Sequence, residues 1–284
     1  MPELPEVQTT VNGLNRTVKG RTIVDVASTY ESPSYAGKDE IKNPKYFKQF
    51  RQKVRGRKIL NVERRGKNIL MRLSGGQTIL THMKMTGHYV YNRVVPHIRL
   101  DFKLDKNSHL YLSDLRKFAK VTLIATRELA ESKHLNNLGP EPLSKDFQFS
   151  VFSLQLDKRP KGKIKQVLMD PKIISGIGNI YADEILWRAS VHPLSATRKI
   201  PRKNKLLMYR AMREVLKKGI KLGGDSMSDY RNIHGEKGGF QDRHRAYQKH
   251  GTRCTKKGCS GVLNRISIGS RGAHFCPKHQ RLYK

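Results

Sequence analysis

The residue types with the most chemistry lie at the two ends of the chain. At the start stands Met1-Pro2-Glu3-Leu4-Pro5-Glu6. Methionine before a small residue such as proline is ordinarily removed, which exposes Pro2 as a secondary amine. An α-amino group titrates near about 8, so a useful fraction is an unprotonated nucleophile at neutral pH. A lysine amine, near about 10.4, needs far more tuning. A secondary amine attacking a sugar C1′ gives an iminium ion, an electron sink that acidifies the C2′ proton. Glu3 can shuttle protons beside it, and both acids suit the positive end of a following helix. Taken alone, Pro and Glu at a helix start are ordinary capping residues. Chemistry at Pro2 therefore needs support from elsewhere in the chain.

At the other end the pattern is Cys254-x4-Cys259, sixteen residues, then Cys276-x2-His279. Two close pairs of soft or borderline ligands can close a tetrahedral zinc shell, with the intervening chain forming a hairpin. Val262 to Ile268 reads as one strand and Ala273 to Phe275 as the other. The expected tip, Gly269-Ser270-Arg271-Gly272, presents an arginine on a metal-stiffened turn. The segment is too small for its own core, which favours zinc over incidental thiols. His274 and His250 are the other candidates for the fourth ligand. A closed site does no chemistry, so this zinc holds Arg271 and does not activate water.

The elements that must position these groups divide the 284 residues in two styles. Val7, Val11, Leu14 and Val18 recur at helical spacing after Pro5. Period-2 segments follow at Ile23–Val26, Ile59–Val62, Ile69–Leu73, Thr78–His82, Ile98–Leu104, His109–Leu112 and Val121–Ile124, which reads as antiparallel strands in a sandwich or barrel. The stretch from Glu31 to Gln52 is weaker in pattern and partly helical. The pattern breaks at Leu138-Gly139-Pro140-Glu141-Pro142-Leu143. Beyond it the period is helical: Asn179 to Ala189 forms one helix, and Leu207, Met208, Ala211, Val215 and Leu216 share a face of another, ended by Gly223-Gly224. The expected class is α+β, with an N-terminal antiparallel β-sandwich domain over 1–140, a helical domain over 141–240 and a zinc β-hairpin over 241–284.

Lysine and arginine number 57 against 23 acids, a net charge of +34. That excess points to a polyanionic partner, because neutralising phosphates releases counterions. A high-salt or crowded setting, or strong nonspecific binding, are alternative accounts of its size. No apolar run approaches a spanning helix and no stretch resembles a signal peptide, so a cytoplasmic protein without membrane association is expected. All three cysteines lie in the last thirty-one residues, and an odd count favours a metal site over a disulfide framework.

Together these motifs resemble the bacterial formamidopyrimidine-DNA glycosylase family, relatives of endonuclease VIII, over the whole chain. The MPELPEV start resembles the family's N-terminus. Arg64-Arg65-Gly66-Lys67 before Asn68-Ile69-Leu70 resembles its catalytic-lysine hairpin, and His82-Met83-Lys84-Met85-Thr86-Gly87 its following strand and turn. Asp114-Leu115-Arg116-Lys117-Phe118 is similar to its wedge loop, and LGPEPL (138–143) to the segment before its linker. Ile164-Lys165, Met169-Asp170 and Gly176-Ile177-Gly178-Asn179-Ile180-Tyr181-Ala182 resemble its helix-two-turn-helix. Gly223-Gly224 through Gly239-Phe240 resembles its base-capping loop, and Arg271 its zinc-finger arginine. Each motif is weak alone; in this order they are specific.

The resemblance implies a bifunctional enzyme that excises oxidised purines through a Schiff base at Pro2 and nicks the strand by β,δ-elimination. Glu3 would be the acid/base, and Glu6 would orient the site or an internal water. Lys67, otherwise a solvated member of the basic run Lys58–Lys67, would assist at the damaged nucleotide. Met85, Arg116 and Phe118 would fill the void left by the extruded base; the alternative places Met85 and Phe118 in the core. Gly178, Asn179, Lys165, His82 and Arg271 would hold DNA, with Ser175–Asn179 cradling a phosphate at a helix start; the alternative there is a plain tight turn. Damaged double-stranded DNA is the implied partner, lying in a basic cleft, and a nucleoid-associated monomer with one structural zinc is expected. The chain departs from the family in its C-x4-C pair, in His279 where the usual set has cysteine, and in the capping-loop sequence SMSDYRNIHGEKGGF (226–240). An endonuclease VIII-like enzyme for oxidised pyrimidines is the nearest rival, disfavoured by Leu4 and the longer capping region. A noncatalytic damage-binding protein and a general zinc-ribbon binder are the others.

Overall fold

The computed structural model describes residues 1–38 and 40–284. The chain forms two compact units: Met1–Asn136 with Leu222–Gly239, and Asn137–Lys221 with Phe240–Lys284. This partition differs from three consecutive parts at 1–140, 141–240 and 241–284. Segment 222–239 returns to the first unit because Ile233 seats in its core and Tyr230 is buried there. The cysteine hairpin joins the helices because its own apolar residues are too few to form a core, so it packs on Trp187.

The first unit opens with α1 (Leu4–Thr17), started by a reciprocal capping box between Glu3 and Glu6 with Pro5 in the first turn. Its buried stripe is Leu4, Val7, Val11 and Leu14, as the spacing predicts. β1 (Ile23–Ser28) leads to α2 (Pro44–Val54), which is N-capped by Asn43 through the Lys45 amide. Then come β2 (Ile59–Arg65), β3 (Asn68–Leu73), β4 (Gln77–His82), β5 (His88–Tyr91), β6 (Ile98–Leu104), β7 (Ser108–Ser113) and β8 (Lys120–Ala125). They form two four-stranded antiparallel sheets, ordered β1-β6-β7-β5 and β2-β3-β4-β8. Leu100, Phe102, Leu110 and Leu112 of one sheet share a buried cluster with Ile69, Met71, Ile79 and Val121 of the other, and α1 adds Val7, Val11 and Leu14. Strand β5 was not among the expected strands: its four residues, His-Tyr-Val-Tyr, bury the adjacent middle pair and show no alternation.

Two side-chain contacts set α1 against the second sheet. The Asn15 amide donates to the Val62 carbonyl at 2.7 Å and its oxygen accepts the Val62 N–H at 2.9 Å, so a helix side chain pairs with a β2 edge as a strand would. Gly13 lets Ile233 approach: a β-carbon there would lie 2.6 Å from the isoleucine Cγ2.

The second unit contains α3 (Phe149–Asp157), α4 (Ile164–Met169), α5 (Asn179–Ala189) and α6 (Arg202–Lys221), then the antiparallel hairpin β9 (Asn264–Ile268) and β10 (Arg271–Phe275). Helix α5 runs over the residues its pattern predicts. On α6 the buried face is Met208, Ala211, Met212, Val215 and Leu216, whereas Leu207, expected on that face, is 41% exposed at its edge. The hairpin turn is the two residues Gly269–Ser270, and Arg271 is the first residue of the return strand, paired with Ile268, instead of lying within the tip.

Candidate active site

The N-terminal residues are held tightly. Pro2, Glu3 and Glu6 are all buried. One oxygen of the Glu6 carboxylate accepts the Glu3 N–H at 2.7 Å, and the other accepts the Asp225 N–H at 2.7 Å. The Tyr230 hydroxyl donates to the Glu6 carbonyl at 3.1 Å. Burial, reinforced by the Glu6 charge, raises the Tyr230 pKa, so it remains a neutral donor. Gly224 makes this closeness possible: its φ is +85°, and a β-carbon would lie 2.9 Å from Glu6 Cγ and Oε1. Glu6 thus ties the start of α1 to the 222–239 segment, a link that local sequence does not signal.

Lys67 occupies the two-residue turn between β2 and β3, after Gly66 at φ 58°. Arg64 braces that turn, donating from Nε to Gln8 Oε1 of α1 at 2.9 Å and from Nη1 to the Gly66 carbonyl at 3.0 Å. Asn68 pairs with His82 across β3 and β4, which brings His82 to the same sheet end. Burial, then the charges of Lys84 and Lys67, lower the His82 pKa to about 3. Its Nδ1 accepts the Lys84 N–H at 3.0 Å. The ring is therefore neutral at physiological pH with its proton on Nε2, a donor for an anion beside the Lys67 ammonium.

The residues expected to fill a base-stack void lie on two loops joined by Asp114. Its fully buried carboxylate accepts the Tyr30 hydroxyl at 2.8 Å, the Ala119 N–H at 2.8 Å and the Thr86 hydroxyl. Thr86 in turn accepts the Arg116 N–H at 3.1 Å. One buried acid therefore organises both the 82–87 turn and the 114–119 loop. Phe118 is 47% exposed with the Arg116 guanidinium 4.5 Å from its ring centroid, so it is no core residue. Met85 is half-buried; Met83 is the methionine of this turn that enters the core. The organising role of Asp114 was not foreseen, since an aspartate in a turn carries no local mark of burial.

In the second unit, Gly178 is the N-cap of α5 and Asn179 its first residue. Asn179 Oδ1 is buried without a hydrogen-bond partner. Gly176 has φ 91°, as the tight approach to the helix requires. Arg271 is exposed on the hairpin. Lys165 corrects an expectation: it is not a surface DNA contact. Its side chain is 1% exposed, and Nζ donates to Asp183 Oδ1 and to the Gly272 carbonyl, both at 2.6 Å. A buried ammonium requires such partners, whereas its sequence neighbours Lys158, Arg159, Lys161 and Lys163 are exposed.

Cys254, Cys259, Cys276 and His279 bring their ligand atoms within 4.8 Å of one another. Cys254 Sγ lies 3.4 Å from His279 Nδ1, and the Cys259 and Cys276 sulfurs are 3.6 Å apart. These spacings fit four donors around one tetrahedral ion. His279 Nε2 lies 3.0 Å from the Trp187 carbonyl, and an Nε2–H donated there leaves Nδ1 as the free ligand atom. His274 is directed elsewhere, with Nδ1 2.9 Å from Asp183 Oδ2. His250 stands against the His274 ring at 5.8 Å between centroids. Among the described residues no helix is long and apolar enough to cross a membrane.

The formamidopyrimidine-DNA glycosylase N-terminal domain family matches residues 1–121, and the formamidopyrimidine-DNA glycosylase H2TH domain family matches residues 138–231. The formamidopyrimidine-DNA glycosylase of Thermus thermophilus is 37% identical over 284 residues, covering 99% of this chain and 98% of the relative. The crystal structure of the MutM (Fpg) protein from Thermus thermophilus matches with a TM-score of 0.82 at 36% identity, over 97% of each chain. A mutant Fpg from Lactococcus lactis, in complex with a Fapy-dG containing DNA, matches with a TM-score of 0.86 at 31% identity, over 97% of this chain and 98% of that one.

Proposed function

The chain belongs to the formamidopyrimidine-DNA glycosylase family, and from that premise we propose that it excises oxidised purines, 8-oxoguanine and formamidopyrimidines, from double-stranded DNA and then cleaves the strand. The observation that carries the reading is the buried Pro2–Glu3–Glu6 start of α1, fixed by Glu6. Removal of Met1 frees the Pro2 amine. Its lone pair attacks C1′ of the damaged nucleotide as the glycosidic bond breaks and the base departs with a proton. The resulting aminal opens as the C1′–O4′ bond breaks and O4′ takes a proton, which gives the iminium; loss of the C2′ proton then expels the 3′ phosphate, and a second elimination expels the 5′ phosphate. Glu3 moves protons at the sugar. Lys67 and the neutral Nε2–H of His82 hold the adjoining phosphate or damaged nucleotide, one by charge and one by hydrogen bond. Met85, Arg116 and Phe118 occupy the gap left by the extruded nucleotide, since a stacked base hides its glycosidic carbon.

Asn179 and the α5 N-terminus take a DNA phosphate, and Arg271 takes the phosphates around the lesion. Cys254, Cys259, Cys276 and His279 hold one zinc ion, whose contribution is structural: it closes the hairpin that carries Arg271.

The test is borohydride trapping on a duplex containing 8-oxoguanine opposite cytosine, with mass mapping of the adduct. An adduct on residue 2 is expected, together with loss of most excision and retention of some lyase activity in Pro2→Gly. An adduct only with an oxidised pyrimidine would assign the endonuclease VIII-like reaction. Tight binding without any adduct, or an unchanged glycosylase rate in Pro2→Gly, would sink the assignment of Pro2.

A further inference from the structure

We propose that Asp183, acting with Lys165 and His274, is the positioning group that sets Arg271 for its DNA contact. The inference rests on the reading of Arg271 as a phosphate ligand. It starts from an edge that a two-stranded hairpin leaves open. Ile268 and Arg271 flank a two-residue turn, so they form the hydrogen-bonded closing pair of the hairpin. Alternation then makes Ala273 and Phe275 bond to β9, while the backbone groups of Gly272 and His274 point outward from β10. No third strand is present to receive them among the described residues.

Two of these groups, the Gly272 carbonyl and the His274 N–H, are nevertheless satisfied. Lys165 Nζ donates to the Gly272 carbonyl at 2.6 Å, and Asp183 Oδ2 accepts the His274 N–H at 3.0 Å. The same carboxylate receives His274 Nδ1 at 2.9 Å, while its other oxygen receives Lys165 Nζ at 2.6 Å. The ion pair offers one donor and one acceptor at the spacing of a β-ladder, so it stands where a neighbouring strand would stand. Its members are 1% and 0% exposed.

The location of this clamp decides what it does. An isolated two-stranded hairpin is at best marginally stable in water. The cysteine cluster secures it only at the Cys276 end, and Arg271 lies five residue steps along the strand from Cys276, about 17 Å away. A metal there does not by itself orient the far end, where Ile268 and Ala273 are buried but Arg271 is exposed. The clamp acts one residue from Arg271, at Gly272. It also originates on α4 and α5, the helices that flank the Ser175–Asn179 turn. Arg271 and Asn179 are thereby held in one frame, as two contacts on neighbouring phosphates require.

The experiment measures binding to a duplex containing a tetrahydrofuran abasic analogue, across a series of salt concentrations, with zinc content and Tm recorded for each protein. The set is wild type, Arg271→Ala, Asp183→Asn and the double variant. Losing one phosphate contact should weaken binding about tenfold and lower the slope of log Kd against log salt by about one. Asp183→Asn should reproduce both effects with zinc retained, and add nothing in the Arg271→Ala background. If Asp183→Asn is folded and binds like wild type, or if its loss multiplies with that of Arg271→Ala, the positioning role is overturned. If Arg271→Ala itself changes neither affinity nor slope, the assignment of Arg271 as a DNA contact fails first, and this inference with it. Should Asp183→Asn fail to fold, the paired change Lys165→Met with Asp183→Asn removes both charges and leaves no unpaired buried ion. It is held to the same non-additivity with Arg271→Ala.

Discussion

Asp114 offers the sharpest test of how the lesion-side loops are built. Asp114→Ala removes the acceptor of three buried donors: the Tyr30 hydroxyl, the Thr86 hydroxyl and the Ala119 amide. A buried donor left without a partner costs about 1–3 kcal/mol. Partial relaxation of the two rotatable hydroxyls brings the expected loss to about 3–6 kcal/mol, a large share of a domain's roughly 5–15 kcal/mol. Asp114→Asn is milder. One amide oxygen keeps Tyr30 and Ala119, while the NH2 faces a Thr86 hydroxyl that can turn to accept. The remaining cost is the loss of charge assistance, about 1–2 kcal/mol. Urea unfolding followed by far-UV circular dichroism measures the totals, and hydrogen exchange at the Ala119 amide reports the loop itself. The only tryptophan, Trp187, lies in the other unit, so its fluorescence is the control and should respond last. If Asp114→Ala stays within about 0.5 kcal/mol of wild type, or costs no more than Asp114→Asn, the carboxylate does not organise these loops.

Two further expectations concern His82 and the cysteine cluster. The His82 pKa of about 3 in the fold lies below the roughly 6.5 of an unfolded chain, so the unfolded state binds the extra proton between those values. Stability from this group is complete above about pH 6.5 and is lost as pH falls toward 3, by at most about 1.4 kcal/mol per pH unit; His82→Gln should flatten that acid limb. Nitrogen NMR should find the ring neutral with the proton on Nε2 from pH 5 to 8, and a titration midpoint near 6 would refute the buried neutral assignment. Cys276→Ser should abolish zinc binding and weaken DNA binding; elemental analysis showing one zinc per chain in that variant would disprove the ligand set.

Much of the organisation is written locally. The PELPEV start, with an acid three residues before another, specifies a capped helix and places Pro2 at its threshold. Period-2 stretches mark seven of the strands, and the α5 pattern marks its helix to the residue. Cys254, Cys259, Cys276 and His279 are paired at spacings that a hairpin brings together. These features are legible because each depends on residues a few positions apart, where backbone periodicity fixes which side chains share a face.

Tertiary structure decided what distant residues do to one another. Five basic residues occupy the stretch from Lys158 through Lys165, and only Lys165 is buried. Its partners are an aspartate on another helix and a carbonyl in the C-terminal hairpin. Met83 enters the core while Met85 does not, although both belong to one short turn. Residues 222–239 leave the helices and close over Glu6, more than two hundred residues upstream. Periodicity tells a chain which face of an element is apolar. It does not tell a buried charge where its counter-charge lies, because that is settled only when packing removes water and leaves each polar group to the partners within reach.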